Sequence, residues 1–244
     1  MIGKSKRPSC IMACFNFKTG APLPQERTYK RVKADEKTGA WCVLKKGKVE
    51  VQAAALVHRI PSFGFLVNEA PDTGKLDSAR LLEVGIKPGP IYGKLKAGLT
   101  VEWEGKTLCP KDFLGPEIPG RRLAILGDTK DSSRLSALVG EGGLDLICHE
   151  ATMEEANKEK ALTFGHSTPA MAVQVAAECK ASHLVLFHLS ARYKPLSQCS
   201  AEDPESASII EREAVEELSK LNIHEMKITV AEDFTEVLIS KKNK

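Results

Sequence analysis

The stretch Leu144-Asp145-Leu146-Ile147-Cys148-His149-Glu150 decides the fold class of this sequence. A short apolar run that ends in polar residues is typical of a buried strand whose end reaches the protein surface. The same form occurs upstream at residues 122–129 and downstream at residues 184–188. Between the last two runs, residues 169–178 contain good helix formers. Strand, helix and strand in succession predict an α/β fold with a parallel sheet and crossover helices.

Further elements are predicted on both sides of this region. Residues 205–221 have apolar side chains three and four positions apart, as an amphipathic helix requires. Residues 1–27 mix turn formers with cations and have no sustained period, which predicts a tail or loop. Short β-type runs predict more strands, at residues 40–44, 49–53, 64–67, 227–231 and 236–239. The last two of these are either a strand pair or one strand with an extension.

Polar side chains stand at the ends of three predicted strands, namely Asp128, the pair His149-Glu150, and His188. Ligands of open α/β sheets bind at the carboxyl ends of strands, where loops converge over a rigid platform. Imidazole nitrogen and carboxylate oxygen are ligands of Zn²⁺ and similar metals. Each residue also has a structural interpretation, because Asp commonly caps a turn and His bonds backbone carbonyls. The three strand ends taken together indicate a functional site.

Three further histidines, His166, His183 and His224, give less information about a functional site. His166 precedes the predicted helix at residues 169–178, so it is either a surface residue or an acid/base group. His183 and His224 lie in polar surroundings and are interpreted as structural or exposed.

The composition indicates which class of protein this is but says little about its function. A formal net charge of +3 permits nucleic-acid binding without indicating it, and the 42% hydrophobic content is ordinary for a soluble globular protein. Seven scattered cysteines with no C-x-x-C pair predict reduced thiols in the cytosol or nucleus. No apolar stretch approaches the roughly 18 residues needed to span a bilayer, so no membrane association is expected.

Six strings in the sequence resemble one family, tRNase Z of the metallo-β-lactamase fold, most closely its short eukaryotic form. They run in the family's order from about Trp41, and residues 1–40 match poorly. The strings are His58-Arg59-Ile60-Pro61-Ser62-Phe63-Gly64-Phe65, Lys87-Pro88-Gly89-Pro90-Ile91-Tyr92-Gly93-Lys94-Leu95-Lys96, Gly127-Asp128-Thr129, His149-Glu150-Ala151-Thr152, Gly165-His166-Ser167-Thr168-Pro169 and His188-Leu189-Ser190-Ala191-Arg192-Tyr193.

The resemblance implies a zinc-dependent endoribonuclease, a hydrolase that removes the 3′ trailer of precursor tRNA with two Zn²⁺ ions. His58, Asp128 and His188 match metal ligands of the family, and Asp128 matches the ligand that bridges the two ions. Glu150 and His166 match its catalytic pair, in which His166 protonates the leaving oxygen and Glu150 orients it. A neighbouring carboxylate stabilises imidazolium and fixes which ring nitrogen carries the proton.

The resemblance also assigns residues from about 71 to 115 to a flexible arm, an exosite that projects from the core and grips the tRNA. Its lysines Lys75, Lys87, Lys94 and Lys96 are suited to phosphate contacts, and Pro88-Gly89-Pro90 would stiffen its tip. An ordinary long loop is the alternative, although loops of this length are uncommon without a function. Precursor tRNA and a second copy of the chain, in a homodimer, are the implied partners.

One feature of the family does not occur in this sequence, the motif His-x-His-x-Asp-His that supplies four metal ligands. The resemblance therefore implies the C-terminal half of an αββα sandwich, with an apolar sheet face left exposed. Two hypotheses follow: the chain is an incomplete product of a gene for a tRNA-processing enzyme, inactive alone, or it is a non-catalytic tRNA-binding or dimerising form. The sequence leaves zinc, manganese and cobalt open as the metal.

Overall fold

A seven-stranded sheet is the central element of the chain. The computed structural model describes residues 10–11, 32–200 and 202–241. Its strands are β1 (Cys10–Ile11), β2 (Val32–Lys33), β3 (Trp41–Lys46), β4 (Val49–Leu56), β5 (Ser62–Glu69), β6 (Val101–Trp103), β7 (Lys106–Leu108), β8 (Arg122–Leu126), β9 (Leu146–Glu150), β10 (His183–Phe187) and β11 (Lys227–Val230). Its α-helices are α1 (Ser78–Glu83), α2 (Pro90–Lys96), α3 (Ser133–Val139), α4 (Lys158–Phe164), α5 (Pro169–Glu178) and α6 (Ser208–Lys220).

The strand order of the sheet is β11-β10-β9-β8-β5-β4-β3. Strands β8, β9, β10 and β11 run parallel, whereas β5 is antiparallel to β8 and β3 is antiparallel to β4. Helix α3 lies between β8 and β9 in the chain, α5 between β9 and β10, and α6 between β10 and β11. The predicted α/β class and the parallel sheet with crossover helices are confirmed.

One face of the sheet packs against α3, α5 and α6 in a continuous hydrophobic core. Ile147 and Leu184 of the central strands are fully buried, together with Val173 of α5 and Ile210 of α6. The apolar side chains of α6 recur three and four residues apart, which places them on the side that faces the sheet. This helix layer fixes the strands, and so fixes the positions of the residues at their ends.

The opposite face of the sheet is partly open in the described residues. Phe65 of β5 and Ile125 of β8 are register partners on this face, and they remain 37% and 47% exposed. Isolated exposed apolar residues are ordinary, but two large neighbours on the centre of a sheet form an apolar patch.

Residues Glu69–Arg121, with the chain from Ile239, form a second and smaller compact unit. It has its own core, which contains Leu81, Ile86, Leu95 and Phe113 among others. Asp77 caps α1 by accepting a hydrogen bond from the Arg80 amide at 3.0 Å, and Pro90 occupies the first turn of α2. The range predicted to be the arm is thus built from two short helices and the β6–β7 hairpin around apolar side chains.

Several sequence-based predictions differ from the structure. Residues 236–239, all of which it describes, lie in no strand, because the chain turns at residues 233–234 and leaves Leu238 92% exposed. Cys10–Ile11, inside the predicted tail, pairs with Val32–Lys33 beyond it, and the rest of residues 1–27 lies outside the described part of the chain. Helices α3 and α4 were not predicted. Among the described helices, none has the length and apolar character needed to cross a bilayer.

Candidate metal and catalytic site

Three of the predicted site residues meet at one edge of the sheet because the strands that carry them are parallel. Asp128 follows β8, Glu150 ends β9 and His188 follows β10. In the β9–β10 register Glu150 is opposite Phe187, and the Ala151 amide donates to the Phe187 carbonyl at 3.0 Å. The three strand ends are therefore level with one another.

His58 reaches the same edge from the opposite direction. It precedes β5, and because β5 is antiparallel to β8, the beginning of β5 lies where β8 ends. Two backbone hydrogen bonds fix the loop, one from the Val57 amide to the Asp131 carbonyl at 3.1 Å and one from the Lys130 amide to the Val57 carbonyl at 2.9 Å. His58 is held in this way beside Asp128.

Asp128 presents one carboxylate oxygen to each of two histidines. Its Oδ2 lies 3.9 Å from His58 Nε2, and its Oδ1 lies 3.5 Å from His188 Nε2. Two ligand atoms that bind one zinc ion, each roughly 2.0–2.2 Å from it, are at most about 4.4 Å apart. Each histidine can thus share an ion with one oxygen of Asp128. This set of imidazole and carboxylate donors fits zinc.

The ring orientation of His58 is fixed by Gly165. His58 Nδ1 lies 2.7 Å from the Gly165 carbonyl oxygen, so we assign the ring proton to Nδ1 and the lone pair to Nε2, which faces Asp128. Gly165 has φ +84°, and a Cβ built on it would lie 2.7 Å from His58 Nδ1. The position therefore favours glycine both for its backbone conformation and for the space beside the histidine.

The ring of His188 is oriented by Thr152. The Thr152 hydroxyl donates to Glu150 Oε2 at 2.5 Å and lies 3.1 Å from His188 Nδ1. A hydroxyl that gives its proton to a carboxylate can accept from Nδ1–H, which turns the Nε2 lone pair of His188 toward Asp128. His188 also has φ +56°, a left-handed backbone conformation that costs a non-glycine residue of order 1 kcal/mol.

The Glu150 side chain is fully buried, and both of its oxygens have several hydrogen-bond partners. Oε1 accepts from the Thr129 amide at 2.8 Å and lies 2.9 Å from His166 Nδ1. Oε2 accepts from the Thr152 amide at 3.2 Å as well as from the Thr152 hydroxyl. A buried carboxylate with this many hydrogen-bond donors is held in one orientation, and it is well suited to orient an imidazole.

His166 lies between the other two histidines. Its ring centroid is 4.9 Å from that of His58 and 5.4 Å from that of His188. Because Nδ1 faces Glu150, Nε2 is the nitrogen that remains for substrate or metal. The metal-binding atoms of His58, Asp128 and His166 lie within 4.8 Å of one another, and so do those of Glu150, His166 and His188. The geometry accommodates His166 as an acid and as a ligand.

Comparison with known proteins gives this arrangement a context. No family model matches the chain. It is 41% identical over 223 residues to zinc phosphodiesterase ELAC protein 1 of Homo sapiens, a match that covers 88% of this chain and 58% of that protein. It is 38% identical over 175 residues to ribonuclease Z of Lactococcus lactis, which covers 72% of this chain and 56% of that protein.

Most of this chain is similar in sequence to proteins of the ribonuclease Z family. The chain spans less than two thirds of the length of these relatives. Among solved structures, human tRNase Z, short form, matches 86% of this chain and 50% of that chain at 26% identity, with a TM-score of 0.48.

The structure brings together His58, Asp128, Glu150, His166 and His188. The strand-end residue His149 differs, because it is buried and bonds Ser132 and its own neighbour's carbonyl instead of facing the cluster. His183 bonds Thr229 of β11 at 2.8 Å, and His224 is exposed, in agreement with the sequence-based interpretation.

Two residues that orient the histidines, Thr152 and Gly165, were not singled out as site residues from the sequence. Both occur in the strings that resemble the family, His149-Glu150-Ala151-Thr152 and Gly165-His166-Ser167-Thr168-Pro169. Their presence in these strings was the sequence signal that could have identified them as site residues. Ser167 has a similar supporting function, because its hydroxyl donates to the Thr129 carbonyl at 2.6 Å and ties the His166 loop to the strand-end loop of β8.

The buried His149 should make stability depend on pH. Burial lowers the pKa of His149 below its ordinary value of 6.5, so below that pH the unfolded chain binds more protons than the folded chain. The free energy of unfolding should be highest above about pH 6.5, where His149 is neutral in the folded and the unfolded chain. It should decrease as pH falls, by up to about 1.4 kcal/mol per pH unit. Urea unfolding from pH 7.5 to 5 measures this loss.

The matched controls for this pH dependence are two histidine substitutions. His149→Gln should flatten the profile below pH 6.5, whereas the same change at the exposed His224 should leave it as in the wild type. An identical slope in the His149→Gln protein would show that other groups cause the pH dependence.

Proposed function

We propose that this chain is part of a zinc-dependent endoribonuclease that removes the 3′ trailer of precursor tRNA. The single observation that carries the proposal is the position of Asp128 between His58 and His188, beside the Glu150–His166 pair. Relatives that share about two fifths of their aligned residues with the chain are named zinc phosphodiesterase, and more distant ones ribonuclease Z. The chemistry of phosphodiester hydrolysis needs both a metal cluster and a proton donor for the leaving oxygen.

His58, Asp128 and His188 are the residues that would hold zinc. When bound, zinc supplies Lewis-acid polarisation of the phosphate and a nucleophile from water near neutral pH. Three ligands are too few for two catalytic ions, since each such ion usually has three protein ligands. The remaining ligands of a two-ion centre have to come from outside this set.

His166 is proposed to deliver a proton to the leaving oxygen. Glu150 fixes the ring by facing Nδ1, which leaves Nε2 to donate toward the reacting phosphate. Thr129 and Thr152 keep the carboxylate in place with their amide groups, so the pair is held rigidly before the substrate arrives.

A chimera tests the proposed activity. Replacing the matched residues of the human relative with those of this chain should give a protein that cleaves a 3′-extended precursor tRNA. The 244-residue chain by itself should bind fewer than two zinc ions and show no cleavage. Metal content by mass spectrometry and product length on gels are the measurements.

Two results would contradict the proposal. One is a folded chimera that binds tRNA and zinc but does not cleave. The other is a chimera whose cleavage survives His166→Ala without loss, because the proposed proton donor would then be dispensable. If the chain binds tRNA but even the chimera is inactive, the non-catalytic tRNA-binding form becomes the better description.

The smaller unit is proposed to be the tRNA-binding arm. Its lysines Lys75, Lys87, Lys94 and Lys96 are all exposed, and the last two lie in the final turn of α2. Exposed ammonium groups of this kind bind phosphate without reading sequence. Pro88 and Gly89 precede α2, and Pro90 begins it, so the short stiff segment positions the helix that carries the lysines.

Removing three of these charges should weaken tRNA binding and flatten its salt dependence. For Lys87→Ala/Lys94→Ala/Lys96→Ala we expect the slope of log K against log salt to fall in magnitude by about 2, since each lost phosphate contact accounts for roughly 0.7–0.9. Fluorescence anisotropy at several salt concentrations measures the slope. The control is Lys37→Ala/Lys46→Ala/Lys227→Ala on the larger unit, and an equal effect of both triple variants would reject the arm.

Compartment and oligomeric state are proposed on more general grounds. The described cysteines Cys42, Cys109, Cys148, Cys179 and Cys199 are free thiols, which supports a reducing compartment, cytosol or nucleus. A homodimer remains a prediction from the family resemblance, and sedimentation velocity of the purified chain is the measurement for it.

A further inference from the structure

A pocket of about 710 Å³ opens beside His188, at the carboxyl ends of β10 and β11. This volume is in the range of pockets that hold small ligands. Strand ends and two loops line it, and its wall is part apolar and part polar. The side chains that matter for its chemistry are His188, Ser190, Ser197, Gln198, Glu232 and Phe234.

Phe234 stands at this pocket, and the residue is 99% exposed. Its φ of +68° is a left-handed conformation, which is a strained choice for an aromatic residue. The turn is held on both sides, because the Glu232 amide donates to Thr235 Oγ1 at 2.9 Å and the Thr235 amide donates to the Glu232 carbonyl at 3.0 Å. A strained, fixed turn that displays an aromatic ring to solvent indicates a stacking surface.

Glu232 gives the pocket a fixed hydrogen-bond acceptor. Its Oε2 accepts from the Ser197 hydroxyl at 2.5 Å, and its Oε1 accepts from the Ser197 amide at 2.8 Å. These bonds, chiefly the one from the hydroxyl, hold the pKa of Glu232 below its ordinary value of 4.5, so the group is an anion at neutral pH. The Leu196 amide is a third hydrogen-bond partner, and because a carboxylate offers about four lone-pair sites, one remains for a ligand.

The charge of Glu232 decides which part of a nucleic acid fits. A carboxylate repels phosphate, but it accepts hydrogen bonds from the amino and imino groups of bases, as carboxylates do with the amino group of cytosine. Ser190 and Gln198 add hydroxyl and amide groups that pair with the edges of bases. The combination of an exposed ring and a fixed acceptor suits a nucleobase.

We infer that this pocket receives an unpaired base of the RNA next to the scissile phosphate, stacked on Phe234 and hydrogen-bonded to Glu232. The inference rests on the proposed function, because it takes the phosphate to lie at the cluster of His58, Asp128 and His188. His188 belongs to that cluster and also lines the pocket. One nucleotide can therefore place its phosphate at the cluster and its base in the pocket. A base can enter only when it is unpaired, as the bases of single-stranded RNA ends are.

Binding of a short single-stranded RNA that carries one 2-aminopurine tests the inference with the full 244-residue chain. Stacking on Phe234 should quench the fluorescence, and Phe234→Ala should abolish the quenching and weaken binding about fivefold or more. Phe234→Tyr should keep both properties, because it keeps an aromatic face. Leu238→Ala removes a similarly exposed apolar side chain four residues away and should change neither.

The outcomes separate the pocket from the proposed function. Unchanged affinity and quenching in Phe234→Ala would overturn the pocket assignment. A wild-type chain that binds folded tRNA but not the short RNA would overturn it too, while the proposed function stands. A chain that binds neither RNA would overturn both.

Discussion

Asp128→Ala should weaken zinc binding by the chain at least a hundredfold. The carboxylate faces His58 with one oxygen and His188 with the other, at 3.9 and 3.5 Å. Its removal therefore leaves each histidine without the neighbouring oxygen with which it would bind zinc. Two isolated imidazoles cannot complete a zinc site, which needs three or four ligands. Calorimetric titration with Zn²⁺ measures the affinity, and the absorption of bound Co²⁺ reports the ligand set.

Asp131→Ala is the matched control for this prediction. Asp131 lies in the same loop and accepts a hydrogen bond from the amide of Ser133, the first residue of α3, at 2.8 Å, so its loss should cost stability but leave zinc affinity unchanged. His166→Ala extends the test, because a residue that acts as an acid can be removed without loss of metal. Zinc affinity that is equal in Asp128→Ala and the wild type would remove Asp128 from the metal site.

Glu150→Ala should destabilise the fold by about 3–5 kcal/mol, the usual cost of removing one member of a buried charged network. The substitution leaves the Thr129 and Thr152 amides and the His166 ring without the Glu150 carboxylate as acceptor, whereas the Thr152 hydroxyl can still donate to the His188 carbonyl. Buried donors left unpaired each cost about 1–3 kcal/mol. Urea unfolding followed by circular dichroism measures the loss.

The surface ion pair of Glu141 and Lys180 provides the comparison. Both side chains are largely exposed, so Glu141→Ala should change the free energy of unfolding far less than Glu150→Ala does. Glu150→Gln should lie between the two, since it keeps the shape but replaces an acceptor by a donor. A loss below about 1 kcal/mol for Glu150→Ala would mean that the hydrogen bonds of this carboxylate do not stabilise the fold.

The parallel half of the fold was predictable from local pattern. Residues 144–150 and 184–188 each contain an apolar run that ends in polar residues, and α5 between them begins at a proline, as its sequence indicated. The smaller unit was not predictable in this way. Its helices α1 and α2 have six and seven residues and lie among Gly, Pro and Lys, so a periodic signal has no length in which to develop.

The site residues likewise divide into those that local sequence pattern predicts and those that it does not. Asp128, Glu150 and His188 could be grouped from the residues alone, because each stands at a strand end. His58 entered only through the family resemblance, since nothing local shows that β5 runs against β8 and brings the beginning of β5 to this edge. Thr152 and Gly165 act on histidines 36 and 107 residues away, and a single sequence without its contacts does not display such pairings.

The antiparallel placement of β5 also has a kinetic consequence. Asp128, Glu150 and His188 come from consecutive strand–helix units that can assemble from neighbouring chain, whereas the contact of His58 with Gly165 closes a span of 107 residues. Long closures form slowly, because their entropy cost precedes their contacts. The imidazole of His58 should therefore join its partners late in refolding, and the rise of metal affinity with time would follow the docking of β5 and not the growth of helix.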